Sequence, residues 1–103
     1  MKDTKLEAAF TAALLETCRK AELTTGLRDP RFVGEIEQRG GAEAMHGLLK
    51  RHRLSPWFEA LAKKGQLAAS PEALTVQSKY GELFTDDEVN ECFSALLEEG
   101  WML

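Results

Sequence analysis

The chain has too few cysteines for a disulfide framework: only Cys18 and Cys92, with no CxxC pair among 103 residues. Both fall on the apolar side of helical patterns, which reads as buried reduced thiols rather than redox or nucleophilic groups. Histidine is equally scarce. His46 and His52 stand six apart, on different sides of a helix, whereas a helical metal pair wants a spacing of four. No motif joins either histidine to Ser55, Cys18 or a glutamate as a catalytic set needs. The expectation is therefore a protein that is not an enzyme, with no metal and no cofactor. No apolar run approaches the roughly 18 residues of a membrane span. The opening MKDTKLEAAF spreads charges through the segment where a signal peptide would be apolar, so a soluble cytoplasmic protein is expected. Strand patterning is missing too: Leu74-Thr75-Val76 is the only β-like scrap, and it follows a helix start. There is no internal repeat and no low-complexity segment.

An excess of positive charge is also missing. Thirteen Lys and Arg face 17 Asp and Glu, giving a net charge of −4 and a pI near 5.2. Charge is uneven along the chain: residues 26–54 carry six positive and four negative groups, and residues 55–103 carry three positive and nine negative. The polarity is too small to name a partner.

What is present is helical punctuation and enough apolar residues, 44%, for one core in one domain spanning 1–103. Leu6, Ala9, Phe10, Ala13, Leu14, Thr17 and Ala21 trace a stripe over a long helix at 4–23 that ends at Thr24-Thr25-Gly26. Asp29-Pro30 opens a second helix bearing Phe32, Val33 and Ile36, which Gly40-Gly41 breaks. A segment near 42–52 offers Met45, Leu48 and Leu49. Ser55-Pro56 and Ser70-Pro71 each set a hydroxyl at an N-cap and proline at the first helical position, predicting helices at 56–64 and 71–78. Thr85 and Glu88 have capping-box spacing before a helix at 86–98. On it Val89, Cys92, Phe93, Leu96 and Leu97 form one apolar face, and Trp101 follows Gly100 so that it can fold back. The fold class is all-α: about six helices in one compact domain, the first long and the rest short.

Two sets of residues are candidates for binding. Glu82, Asp86, Asp87 and Glu91 lie in the acidic half and suit a basic protein partner, with Trp57 as an anchor if it reaches the surface. The plainer reading is a solvated helix face with acids matched to a helix N-terminus. Arg39, Lys50, Arg51 and Arg53 form the basic alternative, a nucleic-acid contact joined by Arg28 and Arg31, with Trp57 stacking on a base. The overall acidity argues against it. The first expectation is a protein-interaction or regulatory module; the alternative is a nucleic-acid binder.

The order Gly40-Gly41-Ala42-Glu43-Ala44, Leu48-Leu49, Phe58 with Leu61, Gly65-Gln66-Leu67, Ser70 with Glu72-Ala73-Leu74, Leu83-Phe84-Thr85 with Glu88, then Cys92, Leu96 and Gly100, spans residues 40–101. It resembles a small helical module of bacterial and bacteriophage proteins with no settled activity. The resemblance implies a regulatory or accessory role in the bacterial cytoplasm. It transfers no site residue, because the shared positions are of cap, turn and core types.

Overall fold

Alanine-rich spacing makes the first element the longest. In a computed structural model describing residues 4–101, α1 runs Thr4–Thr25, and its Phe10, Leu14, Cys18 and Ala21 point inward one above another. Ala9, expected on this stripe, is exposed. Every later helix except the last packs on α1. Among the described residues there is no strand, and no helix is long and apolar enough to cross a membrane.

Helix α2 is Pro30–Arg39, and the Asp29 side chain caps it by accepting the Phe32 N–H at 3.0 Å. Helix α3, Gly41–Lys50, starts against α1. A Cβ at Gly41 would stand 3.0 Å from the Thr11 Cα, and the Gly41 N–H donates to the Thr11 hydroxyl at 2.8 Å. Gly40-Gly41 is thus a close crossing as well as a break.

Helix α4, Phe58–Lys63, begins two residues later than the Ser55-Pro56 signature predicts. Ser55 does not cap it with its side chain; its N–H and hydroxyl both donate to Glu72. Helix α5, Pro71–Thr75, is capped by Ser70 as expected but is short; the chain tightens into a 3-10 turn at Ser78–Leu83 that carries Tyr80 inward. Helix α6, Asp86–Glu98, has the full capping box: Thr85 accepts from the Glu88 N–H, and Glu88 accepts from the Thr85 N–H. It ends with the Trp101 N–H on the Leu96 carbonyl, the Gly100 N–H on that of Leu97, and Gly100 at φ +84°.

Two apolar clusters result. One gathers Phe10, Leu14, Ile36, Met45, Trp57 and Leu61 around α1, with Phe10 edge-on to Tyr80 and Phe84 at 5.0 and 5.2 Å. The other joins Phe58, Leu67, Ala73 and Leu96, with Trp101 half-buried against it.

Candidate functional site

The basic and acidic stretches meet where α3 faces α6. A cleft of about 330 Å³ is lined by His46, Lys50 and His52 on one wall and by Thr85, Asp87, Glu88 and Glu91 on the other. His46 Nδ1 lies 2.5 Å from Glu88 Oε2, and His52 Nδ1 lies 2.9 Å from Glu91 Oε1. An ionised carboxylate only accepts, so each imidazole donates from Nδ1. Burial pushes the Glu88 carboxyl up, but His46 together with the Thr85 N–H and hydroxyl outweighs it and holds the group below its ordinary range. Glu88 therefore does two tasks at once, closing the cap of α6 and tying it to α3. His52 sits at φ +55° just past the end of α3, a left-handed position more usual for glycine. There its N–H donates to the Leu49 carbonyl, and the Arg53 N–H donates to that of Leu48.

The acidic candidates divide. Glu82, Asp86 and Asp87 are exposed, and no lysine, arginine or histidine among the described residues pairs with them. Glu91 is half-covered and engaged by His52. The expected apolar face of α6 also divides. Cys92 and Leu96 are buried, whereas Leu97 is 56% exposed.

Trp57 is a correction. It is fully buried, edge-on to Phe32 at 6.0 Å, and its indole N–H donates to the Leu27 carbonyl at 2.9 Å. It is neither a surface anchor nor a stacking platform. The basic candidates line different clefts. Arg39 faces Glu43 at 3.8 Å beside α1. Lys50 lines the α3–α6 cleft, and Arg51 and Arg53 line a separate one with Arg31.

The interior holds a group that no sequence motif announced. Glu72 is fully buried, and it accepts the Ser55 N–H at 2.6 Å and the Ser55 hydroxyl at 2.8 Å. Burial raises its carboxyl above the ordinary range, and the Ser55 bonds oppose the rise. Burial, with nearby glutamate charge, pushes both the Cys18 and the Cys92 thiol to about 12, so neither is a thiolate nucleophile at neutral pH. Among the described residues no three His, Cys, Asp or Glu side chains are grouped to hold a metal ion. No spacing announces the His–Glu pairs, since His46 and His52 stand six apart and Glu88 and Glu91 three; they become visible only once α3 and α6 are known to face each other. Compared with protein-family models, curated proteins and solved structures, the chain matches none, so its site is read from its own residues alone.

Proposed function

We propose that this chain is a non-enzymatic interaction module that binds a basic protein partner through Glu82 and the first turn of α6. The observation that carries the reading is the exposure of Glu82, Asp86 and Asp87 with no cation paired to them among the described residues. Such charge steers a partner of opposite sign and fixes its register. Asp86 and Asp87 also favour the helix N-terminus, so the surface is held on a rigid element. Glu91 contributes less, since His52 already takes one of its oxygens. A protein partner is preferred to nucleic acid because Trp57 lies inside and offers no face for a base to stack on. The resemblance of residues 40–101 to a bacterial and bacteriophage module supports an accessory or regulatory role in the bacterial cytoplasm.

The test is capture from a bacterial lysate with tagged protein, divided into nuclease-treated and untreated halves. The same protein should be recovered from both. The triple change Glu82→Gln, Asp86→Asn, Asp87→Asn, checked for helicity by circular dichroism, should weaken recovery by about tenfold, or about 1.4 kcal/mol. Recovery that collapses after nuclease, or that the triple change leaves untouched, would remove this reading.

A further inference from the structure

The arginines that the acidic contact leaves unused converge elsewhere. Arg31 in the first turn of α2, and Arg51 and Arg53 just past α3, line one cleft of about 430 Å³. That is within the roughly 300–1,000 Å³ of small-molecule sites. Buried Phe32 and Leu48 line the cleft too, as do exposed Pro56 and Leu54, the latter 38% exposed. Among the described residues no carboxylate lies within ion-pair distance of the three guanidiniums, although two acids share the cleft. Asp29 is occupied as the cap of α2, accepting the Phe32 N–H. Glu35 has no such task, and it works against an anion. Arg51 is held in place by donating from Nε to the Gly47 carbonyl at 3.0 Å, which leaves its terminal nitrogens for a ligand.

Guanidinium forks match the geometry of phosphate oxygens and bind them bidentately. Three of them beside exposed Leu54 and Pro56 suit a doubly charged head on a small apolar body. A nucleobase does not fit, because no aromatic face is open: Phe32 is 5% exposed and Trp57 not at all. The geometry points to a binding site for a phosphate monoester of a small apolar group, its phosphate on Arg31, Arg51 and Arg53 and its body on Leu54 and Pro56. This site is independent of the acidic contact at Glu82, Asp86 and Asp87, and either stands without the other.

Phenyl phosphate is the probe, titrated into the full chain and followed by backbone amide NMR. The amides of Arg31, Arg53 and Leu54 should shift and saturate. Arg31→Gln with Arg53→Gln should weaken binding by at least about tenfold. Glu35→Gln should tighten it, since it removes one of the two negative charges in the cleft. Lys50→Gln, which removes a positive charge from a different cleft, should leave it unchanged. Absence of saturable shifts up to about 10 mM probe, a concentration at which any specific site would fill, overturns the assignment. So does equal weakening by Lys50→Gln, which would mean only general attraction. Equal affinity for inorganic phosphate would overturn it too, since the apolar wall would then contribute nothing.

Discussion

Glu72 has no contact with solvent, and both of its oxygens are taken by Ser55. The bonds close a loop across 17 residues and satisfy a buried N–H and a buried hydroxyl. Truncation and isosteric neutralisation should therefore differ sharply. Glu72→Ala leaves both Ser55 donors without a partner beside a new cavity and should cost about 3 kcal/mol or more in chemical denaturation. Glu72→Gln keeps the shape: its oxygen accepts the Ser55 N–H, and its amide donates to the Ser55 oxygen. It also removes a charge held out of water, so its cost at pH 7 should be under about 1 kcal/mol. The pH dependence has a definite sign. The folded carboxyl titrates above the ordinary value of 4.5, so its contribution is fully favourable below that pH and is lost as pH rises through the raised value. Relative to Glu72→Gln, the natural protein should gain stability as pH falls from 7 toward 4.5; a constant difference would show that Glu72 does not titrate anomalously. This residue explains a limit of the sequence. Ser55-Pro56 has the local signature of a helix start, as Ser70-Pro71 does, and only the second is one. Ser70 accepts a helix N–H at its hydroxyl oxygen, whereas Ser55 donates its N–H and hydroxyl to a carboxylate 17 positions away, a partnership that no local pattern encodes.

Elements whose ends depend on neighbouring residues were legible. Asp29-Pro30, Ser70-Pro71, Thr85 with Glu88, and Gly100-Trp101 all cap as their spacing predicts, because the groups they satisfy are one turn away. The end of α3 was not, because a histidine occupies a position where glycine is the usual signal. Holding His52 at φ +55° costs about 1 kcal/mol relative to glycine. Its compensation is the hydrogen bond to Glu91, made by a side chain 82% exposed, and such surface links contribute little. His52→Gly should thus raise stability by about 0.5 kcal/mol in urea unfolding at neutral pH. A loss of stability would mean that the His52–Glu91 bond outweighs the backbone strain and is a principal tie between α3 and α6. The candidate site was less legible for the same reason as α3. Acid-rich Asp86-Asp87 reads correctly as an exposed first turn, but the partnership of Glu88 and Glu91 with two histidines depends on a helix crossing.

At the scale of the whole molecule, the apolar count and the absence of period-two runs were sufficient for an all-helical class, and the first helix for its axis. They could not say that two core clusters form, or that the shortest α-helix joins them. All five residues of α5 are buried; Leu74 belongs to the cluster around α1 and Ala73 to the one beneath α6. Such a shared element makes the clusters unfold together. The two tryptophans are placed to test this, since Trp57 lies within the first cluster and Trp101 half-buried against the second. In Trp101→Phe the fluorescence reports the first cluster, and in Trp57→Phe it reports the second. Trp57→Phe also loses the bond to the Leu27 carbonyl and should be less stable than the natural protein by about 2 kcal/mol. Within each variant, however, the fluorescence midpoint in urea should coincide with the midpoint from far-ultraviolet circular dichroism. If the Trp101 signal moved first, the second cluster would open as a separate unit, and α5 would tie the two too weakly to make one cooperative domain.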